Sequence, residues 1–333
     1  MKAVIPVAGI GSRLRPHTHT QPKSLVPVAG TPILGHIIDR VVAAGVEEFV
    51  FVIGYLGEKI KRYVRRHYPE LRAEFVVQDP REGIAHALWL AREQFRHDAD
   101  GVLILLGDTI VDVDLKAILQ APGSILAVQE VKTPSMFGLV ETGPGGRVLK
   151  VVEKPRIPKS NYAMVGLYKL AHPEALAVAL ERLIDENLRT YDEFQLTDAL
   201  MLMIQQGEEM MTATVDSWFD CGRKETLLEA NARLLRRPDA MRRREYPEFA
   251  NTIIIPPVSI GKDCQISNSI IGPNVAIGDK TIIQHTVLSD SIIGSYSELR
   301  QAVMHDCIVG NDSSFRGVNH SLNIGDNTEI DYS

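Results

Sequence analysis

The sequence has few cysteines and no long apolar run, and both absences limit the class of protein it encodes. Only three cysteines occur in 333 residues, Cys221, Cys264 and Cys307, and they are widely spaced. An odd, sparse set predicts free thiols in a reducing compartment, not a disulfide framework. No apolar segment is long enough to span a bilayer. We therefore predict a cytoplasmic protein with no membrane partner.

Basic residues are outnumbered, with 36 Lys and Arg against 42 Asp and Glu, so the formal net charge is -6 and the pI is about 6.0. This balance argues against nucleic acid as a partner. We interpret the densest basic run, residues 236–245, as a solvated helix face or linker. The apolar start, MKAVIPVAGIG, does not fit a signal peptide, because Pro6 and Gly9 interrupt it and arginines follow where a cleavage site is needed.

Strand-like and helix-like segments alternate over the first 230 residues, and the chain length predicts two domains. Four apolar segments fit strands buried on both faces of a parallel sheet: residues 2–7, 47–53, 73–78 and 101–107. Residues 31–45 fit a helix with Thr31 as N-cap, Pro32 at its first position and Gly45 as its stop. The alternation predicts an α/β, doubly wound, Rossmann-like sheet.

A different pattern begins near residue 251, where Ile-Gly or Val-Gly pairs recur. The pairs lie at 260–261, 271–272, 277–278, 293–294, 309–310 and 324–325. A second apolar residue often follows six positions later, as Ile266 follows Ile260. This period is typical of a parallel β-helix of hexapeptide repeats, and an ordinary β-domain with scattered turns is the alternative. We predict an α/β domain over residues 1–235, a linker over 236–250 and the β-helix over 251–333.

Residues 6–28 form a basic segment that has no acidic residue, although the protein is acidic as a whole. Gly9 and Gly11 let the backbone approach a ligand, and backbone N–H groups in such a turn bind anions. Arg13, Arg15 and Lys23 add charged donors. The segment therefore predicts a polyphosphate site, with a glycine turn carrying exposed basic residues as the alternative. It matches neither the dinucleotide fingerprint nor the Walker A loop.

The segment AGIGSRLRPHTHTQPKSLVPVAGTPIL, residues 8–34, resembles the signature of the sugar-phosphate nucleotidylyltransferases. Ala8 stands where the family usually has a first glycine, and Ser12 replaces the commoner threonine. Six further segments resemble family motifs in the family order: VVQDPREGIAHAL (76–88), LLGDT (105–109), FGLVE (137–141), VVEKP (151–155), MVGLY (164–168) and WFDCG (218–222). The tail resembles that of the long-form glucose-1-phosphate thymidylyl- and uridylyltransferases, which implies a mixed sheet followed by a left-handed β-helix.

The resemblance implies that a sugar 1-phosphate attacks the α-phosphorus of a nucleoside triphosphate. It implies catalytic roles for Arg13 and Lys23 on the phosphates, and Mg²⁺ held by Asp108 and Asp220. The nucleotide would be bound by Ala8, Gly9, Gly11, Ser12, Gln78 and Gly83. The sugar phosphate would be bound by Gly138, Glu153, Lys154, Gly166 and Tyr168.

Two of these residues are also indicated by their own chemistry. Asp108 follows a buried strand, where a charge is costly unless it binds something. A glutamine amide such as that of Gln78 offers the donor and acceptor that pair with a uracil or thymine edge. Gln78 as a surface glutamine is the alternative. We expect dTTP to be preferred, UTP next, and glucose 1-phosphate as the sugar.

Several other residues could also bind a ligand or a metal, and the sequence allows alternative functions. Asp112 and Asp114 form a D-x-D motif, which we interpret as solvated residues at a strand or helix end. We expect His17 and His19 to be solvent-exposed and His86 to pack in a helix. Alternative functions are a mannose-1-phosphate guanylyltransferase, a catalytically silent regulatory subunit, and a β-helix acyltransferase using a histidine of the tail (His285, His305 or His320). We expect the tail to assemble a homo-oligomer or to brace the protein.

Overall fold

The computed structural model describes residues 1–237 and 246–317. Two compact units make up the chain. The first contains Met1–Pro27 and Thr31–Leu227, and the second contains Val28–Gly30 with the described residues from Leu228 onward. The predicted linker includes residues 238–245, which lie outside the described residues.

Apolar segments of the first 220 residues form the strands of the central sheet and of two smaller, two-stranded sheets. In chain order these strands are β1 (Lys2–Val7), β2 (Pro27–Val28), β3 (Thr31–Pro32), β4 (Glu48–Ile53), β5 (Arg72–Val77), β6 (Val102–Leu105), β7 (Thr109–Asp112), β8 (Ser124–Glu130), β9 (Leu139–Thr142), β10 (Val148–Val152), β11 (Tyr162–Leu170), β12 (Met210–Thr214) and β13 (Ser217–Asp220).

The central sheet is mixed, in the order β10-β9-β11-β6-β1-β4-β5, with β8 pairing β11 and β12. Strands β6, β1, β4 and β5 run parallel, which confirms the four strands predicted from the sequence. β11 pairs β6 in antiparallel register. The doubly wound α/β fold is therefore confirmed, with its carboxyl strand ends leading into the loops after Val7 and Leu105.

Helices connect these strands, and their bounds follow the apolar spacing of the sequence. They are α1 (Ile33–Ala43), α2 (Gly57–His67), α3 (Ile84–Leu90), α4 (Leu115–Gln120), α5 (Pro173–Asp185), α6 (Leu196–Gln205) and α7 (Lys224–Leu235). Leu88 of α3 and Leu180 of α5 are fully buried and share a core with Val4 of β1. Each such side chain stabilises the fold by about 1.5–3 kcal/mol.

Three predicted details of these elements are wrong. Helix α1 begins at Ile33 after Pro32 as N-cap, because Thr31 and Pro32 pair in a short strand with β2. The spacing of Ile84, Leu88, Ala91 and Phe95 predicts a helix over residues 82–95, but the helix ends at Leu90 and a short 3-10 turn follows. Strand β5 is apolar but lies at the sheet edge, so Val77 is 63% exposed and not buried.

The tail is a left-handed parallel β-helix made of three sheets with four strands each in the described residues. Its strands are β14 (Ile253–Ile254), β15 (Val258–Ile260), β16 (Gln265–Ser267), β17 (Ile270–Ile271), β18 (Val275–Ile277), β19 (Ile282–Gln284), β20 (Val287–Ser289), β21 (Ile292–Ile293), β22 (Glu298–Arg300), β23 (Val303–His305), β24 (Ile308–Val309) and β25 (Ser314–Arg316). Ile266 pairs with Ile283 and Ile283 with Leu299, so aliphatic ladders fill the interior. The hexapeptide interpretation is confirmed for these residues.

Candidate active site

The basic loop follows β1 and consists of three short 3-10 helices, Ser12–Leu14, His17–His19 and Lys23–Leu25. Gly11 has a φ of +69°, and a Cβ there would lie 2.9 Å from Lys23 Cβ, so the turn requires glycine. A Cβ on Gly9 would meet nothing within 4 Å. Gly11 therefore shapes the loop, whereas Gly9 leaves its backbone open to a ligand.

A cavity of 410 Å³ lies against this loop, within the size range of small-molecule sites. It is lined by the six residues predicted to bind the nucleotide and by two predicted catalytic residues. They are Ala8, Gly9, Gly11, Ser12, Gln78 and Gly83, together with Lys23 and Asp108. We call this the nucleotide cavity.

A second cavity, of 580 Å³, is lined by the five residues predicted to bind the sugar phosphate. They are Gly138, Glu153, Lys154, Gly166 and Tyr168, and Arg13, Asp108 and Asp220 line it as well. We call this the sugar cavity. Both cavities include Ile84, Leu106, Asp108 and Glu193 in their walls, so they adjoin at these residues.

Two aspartates and a lysine meet where the cavities adjoin. Lys23 Nζ lies 2.5 Å from Asp108 Oδ2 and 3.9 Å from Asp220 Oδ1. The side chain of Lys23 is 12% exposed, whereas those of Asp108 and Asp220 are 38% and 31% exposed. A largely buried lysine side chain therefore reaches two carboxylates that remain partly exposed.

The sheet register explains why two residues so far apart in the chain come together. Strands β7 and β13 pair in antiparallel register, with Thr109 opposite Asp220. The Cys221 N–H donates to the Asp108 carbonyl at 3.0 Å and extends this pairing by one residue. Asp108 and Asp220 therefore lie at adjacent ends of two paired strands.

The charge on Asp108 is maintained by its neighbours. Removal from solvent raises its pKa, but the Lys23 charge and hydrogen bond and the Thr109 hydroxyl outweigh that effect and lower the pKa below its usual value. Asp108 therefore remains a carboxylate throughout the neutral range. The pKa of the nearby Tyr168 phenol is raised instead, because the side chain is buried and lies near the negative charges of Glu153 and Asp108.

On the sugar side, glycine makes space for an acidic side chain. A Cβ on Gly138 would lie 2.7 Å from Met164 Cε and 3.0 Å from Glu153 Oε2. Glu153 is only 11% exposed, and its Oε1 lies 3.3 Å from Lys154 Nζ. Gly166 has a φ of +83° and would crowd Leu106 if it carried a side chain. The arrangement offers a carboxylate and an ammonium group to one ligand.

Gln78 is 5% exposed at the end of β5, which fits the predicted base contact more closely than a surface glutamine. Its Nε2 donates to the Gly83 carbonyl at 2.9 Å and lies 3.3 Å from His86 Nδ1. These contacts occupy the amide donor and leave the amide oxygen as the acceptor. Gly83 has a φ of +106° and lies against the backbone of Phe194, so chain packing already requires glycine there.

Other residues singled out in the sequence have structural partners. The Asp114 carboxylate accepts from Ala117 N–H and caps α4, and Asp112 pairs with Arg40. His86 is buried and stacks on Trp89, as expected for helix packing. His17 is half-buried, which is less exposed than predicted, and burial lowers its pKa. His320 lies outside the described residues.

Gly222, beside the charged groups, and Glu193, in the walls of both cavities, are among the residues that were not predicted. A Cβ on Gly222 would lie 2.8 Å from Asp220 Oδ1, 2.9 Å from Arg13 Nη2 and 3.2 Å from Lys23 Nζ. Gly222 therefore lets these charged groups approach one another, and its signal was the glycine that ends WFDCG. Glu193 lines both cavities, and nothing in the local sequence pattern distinguishes it.

The residues present fit a hard divalent cation. The two carboxylates already enclose one positive group, and carboxylate oxygens together with phosphates and waters are the ligands that Mg²⁺ prefers. In residues 1–237 and 246–317 there is no cluster of three or more His, Cys, Asp or Glu side chains arranged for a metal. None of the helices in these ranges combines the length and the apolar character needed to cross a membrane.

Comparison with known proteins defines the class. The family model described as "Nucleotidyl transferase" matches residues 2–237. Because the match covers most of the chain, this protein belongs to the nucleotidyl transferase family, and it is a nucleotidyltransferase that acts on sugar phosphates.

Individual relatives agree with this assignment. A glucose-1-phosphate thymidylyltransferase from Streptomyces antibioticus is 30% identical over 99% of this chain and 93% of its own. The low-salt glycan biosynthesis nucleotidyltransferase Agl11 from Haloferax volcanii is 29% identical over 99% of both chains. The structure of a putative glucose-1-phosphate thymidylyltransferase from Bacillus anthracis, in complex with a sucrose, superposes with a TM-score of 0.60. It is 25% identical and covers 74% of this chain and 98% of its own.

Proposed function

We propose that the protein transfers a nucleotidyl group from dTTP, or less efficiently UTP, to glucose 1-phosphate and releases pyrophosphate. The observation that supports this most directly is the pair of cavities that adjoin at Asp108, one beside a basic glycine loop and one beside Glu153 and Lys154. Two anionic substrates bound in these cavities would meet at the shared wall beside Asp108. The relatives named as thymidylyltransferases support the choice of substrates.

In this mechanism the protein contributes orientation and charge, because phosphoryl chemistry needs little else. The phosphate oxygen of the sugar attacks the α-phosphorus, and the bond to the β,γ-pyrophosphate breaks. Lys23 Nζ lies where the two cavities adjoin and stabilises charge on the α-phosphate and the incoming phosphate. Arg13 lines the sugar cavity near Gly222 and stabilises charge on the phosphates from that side. No general base is required, since the attacking group is already an anion.

Asp108 and Asp220 would hold Mg²⁺. When bound, the ion would neutralise charge on the phosphates. The Lys23 ammonium group lies beside the same carboxylates, so the lysine and the ion would share one acidic environment.

Base selection is assigned to Gln78 and the backbone of Gly83. The free amide oxygen of Gln78 accepts a hydrogen bond from a ring N–H, which uracil and thymine both carry beside a carbonyl group. A buried hydrogen-bonding site rejects a mismatched base strongly, because its polar groups are left unpaired. The single methyl group that separates thymine from uracil is worth only about 1–3 kcal/mol, so we expect both dTTP and UTP to be used.

A substrate grid tests this proposal. Pyrophosphate release would be measured with dTTP, UTP, CTP, GTP and ATP, each combined with glucose 1-phosphate and with mannose 1-phosphate. The expected result is the highest kcat/KM for dTTP with glucose 1-phosphate, followed by UTP. If GTP or ATP exceeds both pyrimidine nucleotides with either sugar, the role given to Gln78 is wrong.

The β-helix is assigned a structural role in a homo-oligomer. An exposed aliphatic ladder of paired residues, Ile253, Ile270, Val287 and Val303, runs along one sheet of the β-helix. A chain ending at Ala230 is expected to change its mass in solution or to lose thermal stability. Acetyl transfer from acetyl-CoA to an amino-sugar phosphate, abolished by His285→Ala or His305→Ala, would contradict this role.

A further inference from the structure

A strained turn of residues 190–193 lies beside the sugar cavity. The proposed reaction assigns no direct role to these residues. Thr190 and Glu193 exchange two backbone hydrogen bonds, of 3.0 and 3.3 Å, across Tyr191 and Asp192. Tyr191 and Asp192 have φ values of +55° and +61°, both in the left-handed region. A turn of this kind favours asparagine, aspartate or glycine, so Tyr191 adopts it only because the surroundings fix it.

The surroundings that fix the turn are side-chain contacts from both flanks. Gln195 Nε2 donates to the Thr190 carbonyl at 3.3 Å, and Arg189 Nη1 donates to the Asp192 carbonyl at 3.2 Å. Arg189 also forms a salt bridge with Glu82 at 2.9 Å and lies 4.0 Å from the centre of the Phe194 ring. One guanidinium group therefore connects the turn to the segment that carries Gly83.

On its other side the turn reaches Lys154. The Tyr191 hydroxyl donates to the Lys154 carbonyl at 2.8 Å, and the Lys154 N–H donates to the Phe137 carbonyl at 3.1 Å. Both polar backbone groups of Lys154 are therefore fixed. Lys154 itself has a φ of +37°, a conformation that a lysine does not adopt without such contacts.

We propose that Tyr191 is a positioning residue for Lys154: its hydroxyl holds the left-handed backbone from which the Lys154 ammonium group extends beside Glu153. This inference rests on the proposed function, in which Lys154 binds the phosphate of the sugar. Tyr191 does not line either cavity, so it acts through Lys154 and not on the substrate. Strained backbone often occurs at ligand-binding sites. At Lys154 it directs the ammonium group toward one anion.

The first test is Tyr191→Phe, which removes only the hydroxyl oxygen. Losing one hydrogen bond of ordinary strength is expected to raise the KM for glucose 1-phosphate about three- to tenfold. The KM for dTTP is expected to stay within twofold, and the thermal midpoint is expected to be unchanged. Tyr296→Phe, in the β-helix, is the matched control and should leave both KM values unchanged. Equal sugar KM values for Tyr191→Phe and Tyr296→Phe would overturn the proposal.

A double-mutant cycle with Lys154→Ala separates positioning from any other effect of the hydroxyl. Once the Lys154 side chain is absent, Tyr191→Phe is expected to cause no further rise in the sugar KM. A rise of the same size in both backgrounds would show that Tyr191 does not act through Lys154.

Calorimetric titration of glucose 1-phosphate into wild-type protein and Tyr191→Phe distinguishes this inference from the proposed reaction. Weaker binding to the variant supports the positioning role even if no nucleotide pair releases pyrophosphate, whereas equal binding overturns it. Wild-type protein that releases no pyrophosphate with any substrate pair would instead overturn the proposed function.

Discussion

The two cavities of the active site are built in different ways. The nucleotide cavity takes much of its wall from one continuous segment, residues 6–12, which includes two glycines. The sugar cavity is assembled from separate segments between residues 133 and 226, in addition to Arg13, Thr109 and the shared wall. Backbone N–H groups suit phosphates, which every nucleoside triphosphate carries. Separate side chains suit the sugar, whose hydroxyl groups lie at different positions around the ring.

The largest effect is expected at the wall that both cavities share. Asp108→Asn and Asp220→Asn each remove one full charge from the predicted magnesium site while preserving side-chain size. Removing one preorganised electrostatic group typically costs about 10²–10³-fold in kcat, and we expect a loss of that order from either change. Pyrophosphate release measures the activity, and circular dichroism shows whether the fold is retained.

Asp114→Asn is the matched control, because Asp114 caps α4 and lines neither cavity. It should keep nearly full activity. If both active-site variants remain within threefold of wild type, the two aspartates do not hold a catalytic metal.

A pair of glycine substitutions sharpens the comparison between the cavities. Gly138→Ala places a Cβ 3.0 Å from Glu153 Oε2, so we expect the sugar KM to rise about tenfold, ~1.4 kcal/mol, with little change for the nucleotide. Gly9→Ala meets no protein atom within 4 Å, so it should leave stability unchanged and raise the nucleotide KM instead. Steady-state kinetics with each substrate varied in turn separates the two. If each variant changes both KM values equally, the cavities do not bind separate substrates.

Much of the nucleotide side could be predicted because its signals are local. The apolar segment that becomes β1, the glycines of the loop and Lys23 lie within 25 residues and need no knowledge of distant pairing. The same holds for the β-helix, since its repeat is visible in the order of residues. Even here Gly83 was assigned only to ligand approach, whereas the structure shows that packing against Phe194 also requires it.

The sugar side depends on contacts that no local pattern contains. The register that places Thr109 opposite Asp220 joins strands more than 100 residues apart. The same limit explains β5, whose sequence is apolar although its place at the sheet edge leaves Val77 exposed. The left-handed backbone at Lys154 and Tyr191 depends on tertiary contacts, because neither residue type favours it.

The smallest effect is expected from a histidine beside the base-binding side. His86 Nδ1 lies 3.3 Å from Gln78 Nε2 and accepts that hydrogen bond only when the ring nitrogen is unprotonated. Burial lowers the pKa of His86 from 6.5; Glu82 and the Pro80 carbonyl oppose this shift, whereas the Arg189 charge adds to it. The folded protein therefore keeps His86 neutral at pH values where the unfolded chain has begun to bind a proton.

Since the unfolded state binds more protons in this range, the free energy of unfolding is expected to fall as the pH drops from above 6.5 toward the lower pKa of the folded state. His86→Gln retains an amide oxygen that can accept from Gln78 but does not titrate. Urea denaturation of both proteins between pH 7.5 and 5.5 should therefore give a flatter pH dependence for the variant, with the slopes differing by no more than one bound proton. The half-buried His17 titrates in both proteins and cancels in the difference. Parallel curves would show that His86 has the same pKa in the folded and unfolded states, and that its neutral form does not support Gln78.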